Sequence, residues 1–162
     1  MRYTIHLRYD QLVAILKALN IAQAQLNALG LALTQAEIKL IVQGIVARIR
    51  AGKEPLLQAM ADAGVPALGT PKVLPADAPV ALSLEQHALE ELTQVLAKIV
   101  LTFDELADMI PDPVLQEQFA ASCQASAIAT LPFLDSLRVA GVPGCHLQSS
   151  PPPVPMAPLT YE

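Results

Sequence analysis

The chain has no tryptophan, three tyrosines, three phenylalanines, two cysteines and a charged share of only 15%. Each shortage excludes something. Two cysteines cannot build a disulfide framework, and Cys123, set among small residues, reads as a small hydrophobe. The basic cluster Arg48, Arg50 and Lys53 has no aromatic neighbour and sits in an acidic chain, so no nucleic-acid partner is expected. There is no Gly-rich phosphate loop, no G-x-S-x-G, no H-E-x-x-H and no paired C-x-x-C. No cofactor and no catalytic activity are therefore expected.

The shortage of charge points the other way, toward a partner. Globular chains carry about 25% charged residues, and a lone bundle needs charge on its outer faces. Hydrophobic residues here reach 53%. Part of the outer surface is then expected to be covered, by a protein partner or a membrane. The longest uncharged run before the proline-rich end, 18–36, contains Asn20, Gln23, Gln25, Asn27, Thr34 and Gln35. That many amides argue against a spanning helix. Arg2 and Arg8 precede the apolar Leu12–Leu16, but no small-residue cleavage site follows, which argues against a signal peptide. A cytoplasmic location and a protein partner are the expectations. Charge is also uneven, with +5 over residues 1–53 and −10 over 54–162. Two readings stay open: attraction between halves of one fold, or head-to-tail complementarity between subunits.

Four helical segments are expected, at 9–30, 34–63, 83–110 and 113–141. The first carries Leu12, Ile15, Leu19, Ala22, Leu26 and Leu29 as one stripe, with Gly30 placed to end it. Thr34–Glu37 and Ser83–Gln86 both match capping boxes. Leu84, Ala88, Leu92, Val95, Ile99, Phe103, Leu106 and Ile110 form the stripe of the third helix. Asp112 then Pro113 should cap the fourth, with Gly141 as its C-cap and Pro132 inside it. Residues 64–82, rich in proline and glycine, form a long crossover between two hairpins. Residues 1–148 read as one domain and 149–162 as an extended Pro-rich arm carrying two P-x-x-P spacings. The fold expected is an all-α four-helix bundle, two antiparallel hairpins joined by a long crossover, with a short N-terminal β-strand.

The second hairpin, LTFDELADMIPDPVLQEQFAASCQASAIATLPFLDSL (Leu101–Leu137), resembles the ferritin-like superfamily, particularly rubrerythrin-type proteins. There a short turn leads into a long helix that carries metal ligands. The resemblance implies the same crossover connectivity. It also implies a di-metal set of two Glu and two Glu-x-x-His pairs. This chain has Gln124, Ala125, Ser126, Ala127 and Ile128 where such a pair would fall, and no His in the fourth helix. The di-metal site is therefore absent, and His87, Glu90 and Glu91 remain as candidates for a non-standard metal or proton-transfer site. The plainer reading makes them polar residues at a bundle end. Cys145-His146 has too few companions for zinc. Asn20, Gln23 and Asn27 read as a solvated face, as do Asp104, Glu105, Asp108 and Asp112.

One stretch stands apart. Arg2–Tyr9 alternates strictly and reads as a half-buried strand. Its possible partners are Pro79–Leu82, Leu159–Tyr161 or the same strand of a second subunit. Pairing across an interface is the expectation, with Tyr3, Ile5, Leu7, Tyr9, Pro155, Leu159 and Tyr161 as interface residues. The function that fits these features is a non-catalytic structural or assembly protein, either a homo-oligomer or an accessory subunit. A ferritin-like metal or oxidase protein and a bundle holding an apolar small ligand are the alternatives.

Overall fold

The structure, a computed structural model, describes residues 1–32, 34–66, 74–107 and 112–143. Its elements are β1 (Arg2–Arg8), α1 (Tyr9–Ala32), α2 (Ala36–Asp62), β2 (Pro79–Glu85), α3 (Gln86–Ala107) and α4 (Pro113–Ala140). The helices form two antiparallel hairpins, α1–α2 and α3–α4, joined by the crossover. α1 also packs on α4, and α2 on α3.

β1 pairs antiparallel with β2 of the same chain, in the register Ile5↔Leu82 and Arg2↔Glu85. The expected pairing across a subunit interface is thereby corrected. Ile5, Leu7 and Tyr9 face the chain's own core and are buried with Val80, Leu82 and Leu84. Tyr3 is half-buried against the same cluster. The partner strand includes Pro79–Leu82, one of the candidates, and extends through Glu85. Ser83-Leu-Glu-Gln86 matches a capping box, yet Val80–Glu85 also alternates with period 2. Pairing with β1 satisfies a row of backbone N–H and C=O groups that a helix start at Ser83 would leave exposed. The helix therefore begins at Gln86, and Ser83 Oγ accepts from Arg2 Nε at 3.2 Å instead. Pro155, Leu159 and Tyr161, like the whole Pro-rich arm, lie outside the described residues.

Other helix ends divide between agreement and correction. Asp112 accepts from the Val114 N–H at 2.9 Å, with Pro113 opening α4. Thr34 does not cap α2. Gln35 takes that place without a side-chain bond, which moves Glu37 one position short of where the box needs it. α1 continues past Gly30 to Ala32, and α2 runs unbroken through Pro55.

The halves repeat each other. Elements start at residues 2, 9 and 36 in the first half and at 79, 86 and 113 in the second, a constant offset of 77. Pro55 and Pro132 keep that offset, as do Ala63-Gly-Val-Pro66 and Ala140-Gly-Val-Pro143. The backbone repeats too. Gly64 has φ 75° and Gly141 φ 77°, the left-handed conformation that a side chain disfavours. Val65 N–H bonds Met60 C=O at 2.9 Å, and Val142 N–H bonds Leu137 C=O at 3.0 Å, the same helix-ending motif twice. Burial follows suit. Leu12, Ile15, Leu19, Ala22 and Leu26 of α1 correspond to Leu89, Leu92, Leu96, Ile99 and Phe103 of α3, and all are buried. The molecule is thus two β-α-α units whose strands pair as a ribbon over a common core. Each buried Leu, Ile or Phe contributes about 1.5–3 kcal/mol to that core. Phe103 and Phe119 close the second hairpin with ring centroids 5.0 Å apart.

Candidate functional site

Two surface features follow from this duplicated frame. The first is a cleft of about 580 Å³ where the end of α2 meets the end of β2 and the first turn of α3. Pro55, Ala51 and Gly52 form its floor side, and Arg2, Gln58, Asp62, Ser83, Glu85, His87 and Glu91 bring polar groups to it. Most of these are already engaged. Arg2 Nη2 donates to the Ser83 carbonyl at 3.1 Å and lies 3.8 Å from Glu85. Gln58 donates to Asp62 at 3.0 Å. Glu91 lies 3.9 Å from Arg48, whose guanidinium also donates to Gln94 at 3.2 Å. The ion pairs are solvent-exposed and each contributes at most about 1 kcal/mol.

Two of the three expected metal candidates, His87 and Glu91, line this cleft. Glu90 does not. It is half-buried and accepts from Gln86 Nε2 at 3.5 Å. Among the described residues no group of three His, Cys, Asp or Glu side chains converges on a metal position. Nor does the cleft pair a nucleophile with a base, since Ser83 Oγ is bound to Arg2 and His87 stands exposed. Its chemistry is charge of both signs on an open wall. Arg2, Asp62 and Glu85 belong to it and escaped the sequence reading, because only the ribbon register brings Arg2 beside Glu85 and only the packing of α2 on α3 brings Asp62 to them.

The amide row on α1 is partly structural. Lys53 Nζ on α2 donates to Asn20 Oδ1 at 2.8 Å and to Gln23 Oε1 at 2.7 Å. Burial, with Arg50 nearby, lowers the Lys53 pKa below its ordinary value. Cys123 Sγ donates to the Val100 carbonyl at 3.5 Å, and burial, followed by the Asp104 charge, raises its pKa. Both groups tie helix to helix. The basic first half also meets the acidic second half within the chain, through Arg2–Glu85 and Arg48–Glu91.

The second feature is the outer face of α1 and α4. A shallow groove of about 250 Å³ runs between them, lined by Ala18, Ile21, Ala121, Ser122, Ala125 and Ser126. Beside it Ile21, Ile128 and Leu131 are 46%, 60% and 63% exposed. Residues 18–30 of α1 and 118–134 of α4 contain no charged side chain. The duplication supplies an internal comparison. The equivalent stretches of α3 and α2 carry Lys98, Asp104, Glu105, Arg48, Arg50, Glu54 and Lys53, the last turned toward α1. Where α1 has Ile21, α3 has Lys98, and where α4 has Ala125, α2 has Arg48. One backbone surface thus occurs twice, and both copies expose apolar side chains (Ile41, Leu57 and Leu101 on α2 and α3), but only the α2/α3 copy also carries charge. α1 is long and apolar enough to cross a membrane by length and composition. Its stripe Leu12, Ile15, Leu16, Leu19, Ala22 and Leu26 is buried against the other helices, while Ile21 and Leu31 are exposed.

No protein-family model matches the chain, and neither a curated protein nor a solved structure matches it. No ferritin-like relationship is shown by these comparisons.

Proposed function

We propose that this is a non-catalytic, cytoplasmic assembly protein, a homo-oligomer or an accessory subunit of a larger complex. The observation that carries this reading is the contrast between the two equivalent faces. A chain with no partner keeps both solvent faces charged, because charge holds water and prevents association. Here the α2/α3 stretches carry seven charged side chains beside their exposed Ile41, Leu57 and Leu101, and the equivalent α1/α4 stretches expose Ile21, Ile128 and Leu131 with no charged side chain among them. The low overall charge supports the same reading. A cleft without a nucleophile–base pair or a converging ligand set gives catalysis no comparable support.

Light scattering on the purified chain between about 5 and 100 µM, with pull-down from its native extract, tests the proposal. A mass above one chain, or stoichiometric recovery of a partner, is expected. A single-chain mass throughout with no partner recovered refutes it.

A further inference from the structure

We infer that the α1/α4 face seats the same face of a second copy of this chain, related by a two-fold axis at the groove, so that Lys17 of each protomer meets Glu117 of the partner subunit. The inference rests on the assembly reading above and adds the partner and the geometry.

Charge complementarity argues for it. Lys17 lies one helical turn from Ile21 toward the start of α1, and Glu117 one turn from Ala121 toward the start of α4. α1 and α4 are antiparallel, because each is antiparallel to its hairpin partner and α2 runs antiparallel to α3 at the cleft. The two charges therefore stand toward opposite ends of the groove, Lys17 about 4 Å and Glu117 about 10 Å along the helices from the middle of its lining residues. Both are exposed, and neither makes an ion pair among the described residues. A two-fold axis that crosses the groove midway between the two charges brings each lysine over the other copy's glutamate. A self-matching patch of this kind is what an isologous contact requires.

Size agrees. α1 has 24 residues and is about 36 Å long. Two helices side by side are about 20 Å wide, which makes a face on the order of 700 Å². A stable dimer buries about 800 Å² per partner. The alanines flanking the groove allow close approach of the facing helices, while Ile21, Ile128 and Leu131 supply the apolar contact. A membrane surface fits less well. Interfacial helices carry a basic rim that meets anionic lipid, and here one lysine is opposed by one glutamate.

The test uses the full chain. Light scattering should give the mass of two chains. Lys17→Glu and Glu117→Lys should each weaken the dimer about tenfold or more, since each turns two attractions into repulsions. The double variant, with the charges exchanged, should regain the wild-type dissociation constant. Ala125→Glu at the groove centre should give single chains with unchanged helicity by circular dichroism. Lys98→Glu on the equivalent charged face should leave the mass alone. A dimer indifferent to Lys17→Glu, Glu117→Lys and Ala125→Glu overturns this inference and leaves the assembly reading standing. A single-chain mass with a different protein recovered also overturns it, again sparing that reading. Co-flotation of single chains with phosphatidylcholine/phosphatidylserine vesicles overturns it in favour of a membrane surface. A single-chain mass with no partner and no vesicle binding removes both.

Discussion

Three glycines offer a test in which one chemical change has opposite signs. Gly64 and Gly141 adopt φ 75° and 77°, and an added Cβ at either meets nothing within 4 Å. The effect of alanine there is conformational, free of clash. The left-handed region disfavours an L side chain by about 1–2 kcal/mol. Alanine also restricts the unfolded chain, which returns about 0.4–1 kcal/mol. Each substitution should therefore destabilise by roughly 0.5–1.5 kcal/mol, and the two should agree because their hydrogen bonds and angles repeat. Gly44 is exposed inside α2, and its Cβ would also meet nothing within 4 Å. There alanine has the better helix propensity and should stabilise by about 0.8–1 kcal/mol. Urea unfolding followed at 222 nm measures all three, and the Gly64/Gly141 double variant should show the sum. For a chain of this size each kcal/mol moves Tm by about 2–4 °C. If Gly64→Ala or Gly141→Ala is no less stable than wild type, or the two differ by more than about 1 kcal/mol, the repeat does not extend to the backbone. A destabilised Gly44→Ala would count against the placement of α2.

Three further outcomes are expected. Deleting residues 1–8 removes Ile5 and Leu7, each worth about 1.5–3 kcal/mol, and uncovers Val80, Leu82 and Leu84. Thermal melting should lose that much stability, whereas a strand used only between subunits would lower mass and leave melting intact. In a Cys145→Ser background, Cys123 should react with a thiol reagent at pH 8 far more slowly than free cysteine, since burial raises its pKa; reaction at the free-thiol rate contradicts its contact with α3. Lys53 binds its proton less tightly folded than unfolded, because its pKa lies below the ordinary 10.5. Stability should therefore rise with pH through the window between the lowered value and 10.5, and Lys53→Met should remove that part of the slope; identical slopes in the two proteins refute it.

The helices were legible because their stripes repeat every three to four residues, and α4 could be bounded from Asp112, Pro113 and Gly141 alone. Local chemistry settles such ends. It misled at Ser83-Leu-Glu-Gln86, where a capping-box pattern and a strand alternation share the same residues. Only β1, whose Thr4 pairs with Ser83 from 79 residues away, decides between them. Thr34–Glu37 failed for a smaller reason, a start displaced to Ala36. The repeat itself is written in the chain as two Ala-Gly-Val-Pro segments, but hydrophobic periodicity does not distinguish two copies of a unit from any two hairpins. His87 and Glu91 were visible as candidates, while Arg2, Asp62 and Glu85 were not, since no spacing brings them together.

By itself, then, the sequence determined four helices, two hairpins, a long crossover, a strand at the front and the absence of familiar catalytic motifs. These depend on residues within a few turns of one another. The tertiary structure alone decided that the strand closes on its own chain and that the halves repeat. It also decided that the uncharged stretches of α1 and α4 lie side by side, because pairing and burial depend on which distant segments meet.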